Sequence, residues 1–116
     1  MNFDDFISNK SIRNVWIAER DIDVYVRKSI RLLDKSSTTP TPCLDIGSVE
    51  VYEPHRGIGI FTGFLDRFEQ AAIKLHRAVY VESIQNPRLQ KFLERRGYQM
   101  VPNSNEIAPN MFKIVA

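Results

Sequence analysis

A chain of 116 residues with a formal charge of +2 has the length of one domain, and 43% hydrophobic against 26% charged residues puts it in the folded, water-soluble class and not the disordered one. No apolar run approaches the ~20 residues a membrane-spanning helix needs, and the acidic start Met1-Asn2-Phe3-Asp4-Asp5 has no signal-peptide pattern. One cysteine, Cys43, excludes an internal disulfide and fits a reducing compartment, so a cytoplasmic protein with a single domain over residues 1–116 is expected.

Phe3, Phe6 and Ile7 have helical spacing, but the run is short and predicts a helical turn or two at most. Strand propensity rises through Val15-Trp16-Ile17-Ala18, and Glu19-Arg20-Asp21 reads as a turn. From Ile22 the pattern alternates. Ile22, Val24, Val26, Ile30 and Leu32 fall on one face, interrupted only by Lys28, with Asp23, Tyr25, Arg27, Ser29 and Arg31 on the other. Such a period of two predicts a half-buried strand over 22–33 forming a hairpin with 15–19. Lys35 to Pro42 is a polar loop with two prolines.

The segment 43–52 is a strand with a phase error, because Leu44 and Ile46 have one parity and Val49 and Val51 the other. An uninterrupted strand would leave one pair in water. A β-bulge near Gly47-Ser48 repairs the phase.

Next comes Pro54-His55-Arg56-Gly57-Ile58-Gly59, a glycine-bearing turn with a cation, feeding a helix over 60–76. Phe61, Phe64, Leu65, Phe68, Ala72 and Leu75 form its apolar stripe, which predicts core. A strand delivering such a turn to a helix N-terminus builds an anion site, since the first helical N–H groups lack partners and point outward. Gly63 costs that helix up to ~1 kcal/mol relative to alanine, which a close backbone or ligand contact would explain.

Ala78-Val79-Tyr80-Val81-Glu82 is a short strand. Asn86-Pro87 is an N-cap followed by proline, opening a helix whose inward residues are Leu89, Phe92, Leu93 and Arg96 and which Gly97 ends. Strands follow at 98–101 and 111–115. The crossover helix makes 43–52 and 78–82 a parallel pair within an otherwise antiparallel sheet, an α/β fold of the α+β type with helices packed on a mixed sheet.

Two segments together resemble the GNAT superfamily of N-acetyltransferases. Val51-Tyr52-Glu53-Pro54-His55-Arg56-Gly57-Ile58-Gly59-Ile60 resembles its acyl-CoA-binding motif. Val81 to Asn86, Leu89 and Phe92-Leu93-Glu94-Arg95-Arg96-Gly97-Tyr98 resemble its second motif, and the match covers residues 43–101. The resemblance implies acetyl-CoA as co-substrate and a primary amine as acceptor. It places the pyrophosphate on the N–H groups of Ile58, Gly59, Ile60, Phe61 and Thr62 beside Arg56 and Gly57. Val49 and Val51 would lie along the pantetheine arm, with Asn86 and Phe92 beside it. A splay between the two parallel strands would admit the thioester.

The chain departs from the family at Phe61, where a smaller residue is usual, at Pro54, one place late, and at Leu93, where many members carry a tyrosine acting as general acid. The segment before the first strand is short, which removes part of the acceptor wall or leaves it to another subunit. Glu82 is the first candidate for a base, with Glu50 and Glu53 as alternatives, and Tyr98 is a candidate proton donor with a competing role in packing after the helix cap. His55 is read either as a phosphate contact or as exposed, and His76 as a helix-end residue.

Two distant histidines and one cysteine suggest no metal site. The mild basic excess falls short of a nucleic-acid-binding patch, so neither nucleic acid nor a membrane is expected as a partner. Acceptor specificity is expected in residues 1–20, 34–42 and 102–110, and an edge strand at 111–115 suggests a homodimer. The alternative function is a GNAT-like module that binds acyl-CoA or a protein without catalysis.

Overall fold

Six strands form one mixed sheet in a computed structural model that describes residues 2–19, 21–33, 38–51, 58–102 and 107–115. β2 (Ile22–Arg31) runs antiparallel to both of its neighbours, β1 (Asn14–Ala18) and β3 (Thr41–Val51). After α2 (Ile58–Lys74) the chain returns as β4 (Ala78–Val81), parallel to β3. It then forms α3 (Pro87–Arg95), β5 (Gln99–Met100) and β6 (Met111–Lys113). The spatial order is β1-β2-β3-β4-β6-β5. The expected edge strand at 111–115 is therefore corrected. Only Met111–Lys113 is strand, and it lies inside the sheet, bonded to β4 on one side and to β5 on the other.

The phase error in β3 resolves as the sequence suggests. Tyr25 pairs with Ser48, but the next residue, Val26, pairs with Ile46, so Gly47 is the extra residue of a bulge. Leu44, Ile46 and Val49 thereby share the face of Val24 and Val26, and all pack into one core. Gly47 does not take a left-handed conformation. What its position needs is room, because a Cβ there would sit 2.9 Å from Cδ2 of Tyr25.

That core is built against helices. α1 (Phe3–Ser8) is capped by Asn2, whose side chain accepts from the Asp5 N–H at 2.8 Å, and it buries Phe3 and Phe6. The α2 stripe of Phe61, Phe64, Leu65, Phe68 and Ala72 is buried as predicted, with the Phe64 and Phe68 rings stacked at 5.7 Å. Leu93 of α3 joins the same cluster. α3 has the expected ends, with Asn86 accepting from Arg88 N–H and Gly97 at φ +98°. The free energy behind this layer is apolar burial, about 1.5–3 kcal/mol for each large side chain fully withdrawn from water.

The predicted apolar face of β2 stops earlier than the alternation implies. Ile22, Val24 and Val26 are buried, whereas Ile30 and Leu32 are exposed at 69% and 58%. Lys28 marks the limit. Its ammonium donates to the carbonyls of Phe6 (2.7 Å) and Asn9 (2.8 Å) and lies over the Phe6 ring, so it closes the end of α1 where the helical layer ends.

All three helices pack on one face of the sheet. On the other, among the described residues, Leu33, Cys43, Ala78, Tyr80 and Phe112 form a second small apolar cluster with no helical member. No described helix is long and apolar enough to cross a membrane.

Candidate functional site

The parallel strands come apart in mid-course. β3 and β4 pair from Cys43↔Ala78 to Ile46↔Val81, and the Glu82 N–H gives a last bond to the Ile46 carbonyl at 3.0 Å. Beyond this, Ser48–Val51 pair only with β2 among the described residues. The other strand is turned away by Ser83, which takes φ +52° and donates its N–H to Oδ1 of Asn110 at 2.7 Å. Ile84 N–H then bonds to the Pro109 carbonyl. A β-bulge on one side and a left-handed residue on the other thus open a gap between the carboxyl ends of adjacent parallel strands. In open α/β sheets this is where ligands sit.

The crossover places the start of α2 at the same end of the sheet. Glu53, Pro54, His55, Arg56 and Gly57 lie outside the described residues, as do the side chains of Val51 and Ile58. Gly59 and Gly63 are exposed, and a Cβ on either would meet nothing within 4 Å. The glycine at 63 therefore has no packing reason among the described residues. Both line a cleft of about 290 Å³ with Glu19, Ile22 and Arg67. A wider groove of about 590 Å³ runs between α1 and α2, away from the strand gap.

Val49 and Ile60 are half-buried against the main core, and Thr62 is half-buried on α2. Phe61 is buried and meets Phe92 of α3 edge-on at 6.4 Å, joining the two helices that flank this end of the sheet. Asn86 spends its side-chain oxygen on the Arg88 N–H at 2.9 Å, which is a cap bond.

The acid–base candidates fall on two faces. Glu82 follows Tyr80 on the helix-free face and pairs with the Arg27 guanidinium. Asp45, fully buried beneath, accepts from Ser29 Oγ and the Arg31 guanidinium at 2.7 Å each and lies 3.4 Å from Arg27 Nε. Arg31 stacks over the Tyr80 ring at 4.0 Å. Glu50 is exposed opposite Asp23 on the same face.

Tyr98 lies on the other side, in the helical core. Its hydroxyl donates to Glu69 Oε2 at 2.7 Å, and Glu69 also accepts from Arg96 at 2.9 and 3.0 Å. Burial, then the hydrogen bond and charge of Glu69, push the Tyr98 hydroxyl far above the ordinary phenol range. Burial pushes Glu69 up, but its bonds from Arg96 and Tyr98 outweigh this and hold it below the usual carboxylate range. Leu93 is fully buried. His76 is exposed just after α2, at φ +56°.

Sequence reading missed the Arg27–Asp45 and Arg96–Glu69 pairs. The first depends on register, since the Gly47 bulge decides which β3 residue faces Arg27. The second joins helices whose relative placement no local pattern states.

The mixed sheet, its splayed central parallel pair and the helices on it constitute a GNAT-like fold. Among solved structures, a bacterial toxin shares it with a TM-score of 0.67 at 13% identity, over 97% of this chain and 73% of that one. Arabidopsis thaliana Naa50, in complex with the bisubstrate analogue CoA-Ac-MVNAL, matches with a TM-score of 0.55 at 18% identity over 80% of this chain. A mutant AtaT toxin, bound to the C-terminus of the antitoxin AtaR and to acetyl-CoA, matches with 0.52 at 14% identity, again over 80%. The chain spans 64% of the Naa50 chain and 57% of the AtaT chain. No protein-family model and no curated protein matches the sequence.

Proposed function

We propose that the gap between β3 and β4 holds the acyl arm of acetyl-CoA and that the chain transfers the acetyl group to a primary amine of a small molecule or protein. The observation that carries this reading is the loss of β3–β4 pairing after Ile46 and Glu82, beside the start of α2. It is supported by two structures of the same fold, one solved with acetyl-CoA and one with a CoA bisubstrate analogue. In this reading the N–H groups of Ile58 to Thr62, with Arg56 and Gly57, receive the pyrophosphate. Main-chain groups at Val49 and Val51 align the pantetheine, and Asn86 and Phe92 flank the arm.

Acetyl-CoA supplies the activated thioester. The amine nitrogen bonds to the thioester carbonyl carbon, the carbon–sulfur bond breaks, and CoA leaves as a thiolate that takes up a proton. Glu82, in the mouth of the gap, accepts the proton lost by the amine, directly or through water, with Glu50 as the second carboxylate on that face. Main-chain N–H groups of the parted β3 segment face the carbonyl oxygen as charge develops on it.

A second reading is favoured by specific contacts. Leu93 is core, the Tyr98 hydroxyl is given to Glu69, and Glu82 is held by Arg27. A chain with its acid–base groups so engaged would bind acyl-CoA without turning it over. Titration calorimetry with acetyl-CoA, combined with thiol release in a mixed panel of amines, separates the two. Binding with release supports the transferase, binding without release in any amine supports the module, and absence of binding removes both.

A further inference from the structure

β1 forms one end of the sheet, and its outer edge is available in a specific way. Glu19 N–H bonds to the Ile22 carbonyl at 2.9 Å, and Lys28 N–H bonds to the Arg13 carbonyl at 2.7 Å. Bonded and non-bonded pairs alternate in an antiparallel ladder. Arg13, Val15, Ile17 and Glu19 therefore turn their main-chain groups toward β2, while Asn14, Trp16 and Ala18 turn theirs outward. No described residue bonds to these outward groups.

The opposite edge, β5, is only two residues long. β1 offers five, without the proline, charged side chain or register shift that often blunt an edge. Trp16 is 52% exposed on the helix-free face, its ring 5.4 Å from that of Tyr25.

We propose that this edge pairs antiparallel with the same edge of a second copy, centred on Trp16, to join the two sheets into one. The register follows from the sequence. Outward groups meet outward groups when the two-fold axis passes any residue from Asn14 to Ala18, but only the Trp16 centre engages all three outward residues. Asn14 then lies opposite the partner's Ala18, and one N–H from each of three residues on each chain gives six main-chain bonds.

The same register sets Arg13 opposite the partner's Glu19, and Glu19 opposite the partner's Arg13. Both residues share the helical face, where Glu19 already receives a two-pronged contact from Arg67. Centring on any of the other four residues brings Arg13 or Glu19 against valine or isoleucine instead. The exposed Trp16 rings would meet on the helix-free face, extending each Trp16–Tyr25 pair.

The test is the mass of the full chain in solution at roughly 100 μM. Light scattering should give twice the 13.4 kDa chain mass, and a monomer at that concentration would overturn the proposal. Ala18→Pro removes an outward N–H that the β1–β2 ladder does not use, so it should yield a monomer with unchanged circular dichroism. A folded Ala18→Pro protein that dimerises as well as wild type would also overturn it.

A charge test covers the case in which the proline variant fails to fold. Arg13→Glu and Glu19→Arg should each weaken the dimer at least tenfold, and an equimolar mixture should restore it, because each opposes unlike charges only across the mixed pair. No recovery on mixing contradicts the register.

Discussion

Glu82 and Arg27 are paired at the point where β3 and β4 part. Glu82 gives the last main-chain bond of that strand pair, and Arg27 is at the same time close to the buried Asp45. The carboxylate at the mouth of the gap is therefore held by a cation that is itself held from below. If Glu82 takes the proton in acyl transfer, Glu82→Gln should lower the rate of thiol release by roughly 10²–10⁴-fold and leave acetyl-CoA affinity within about twofold. An unchanged rate would make the residue an ion-pair partner of Arg27 and nothing more.

Tyr98 and Glu69 give a prediction about stability. Glu69→Ala leaves the Tyr98 hydroxyl and part of the Arg96 guanidinium without partners in a mostly buried place, and should destabilise the fold by about 3 kcal/mol in denaturant titration. The pH dependence follows from the two shifts. Glu69 is held below its ordinary value of 4.5, so its contribution is fully present above that pH and is lost as pH falls through the lower folded value. The Tyr98 hydroxyl is raised above its ordinary value of 10.0, so its contribution is lost as pH rises beyond 10. Glu69→Gln should flatten the acid limb of the stability curve and Tyr98→Phe the alkaline limb. Identical limbs in the variants would assign the pH response elsewhere.

These sites show which parts of the molecule the sequence makes legible. Periodicity locates α2 and β2 because burying one face forces a repeat, and Asn86, Pro87 and Gly97 locate α3 because helix ends need particular backbone chemistry. The phase error alone locates the Gly47 bulge. Register and neighbour choice are not local quantities. Nothing within Met111–Lys113 says that β5 will cover its outer side, nothing in the alternation of β2 says that the helical layer ends at Lys28, and the pairing of Glu69 with Tyr98 spans 29 residues. The glycine turn is legible as a motif, and residues 52–57 lie outside the described ones.

A substitution at Gly59 can separate the proposed donor binding from folding. Its Cβ direction is open, so Gly59→Ala and Gly59→Leu fit the helix and should raise stability by up to ~1 kcal/mol through helix propensity. In the proposed reading, a side chain there stands where the helix would approach the pyrophosphate. Acetyl-CoA affinity should therefore fall at least tenfold with Gly59→Leu while the unfolding midpoint rises. Unchanged affinity in calorimetry would remove the phosphate role of this turn.

Cys43 bears on any assay that reads thiols. It is fully buried, and burial first, with the charge of Asp45, pushes its thiol up to about 11. At pH 8 the native chain should leave a thiol-reactive dye uncoloured for as long as it stays folded, and denaturant should release one equivalent. Rapid labelling of native protein would show that the cluster of Leu33, Ala78, Tyr80 and Phe112 opens readily.

Gly47 joins the fold to the proposed site. Its conformation is one any residue adopts, so the need for glycine comes from the Tyr25 ring, 2.9 Å from where a Cβ would stand. Gly47→Ala should cost about 1–3 kcal/mol, because either the ring or the bulged backbone must move. In a Tyr25→Ala background the same change should cost at least ~1 kcal/mol less, a coupling measurable by a double-mutant cycle. Equal costs in both backgrounds would move the explanation from the ring to the bulge itself. The two explanations differ for function as well. If the ring yields, β3 keeps its course, and acetyl-CoA affinity should survive in the double variant. If the backbone yields, the parted segment from Ser48 to Val51 shifts, and affinity should fall in both.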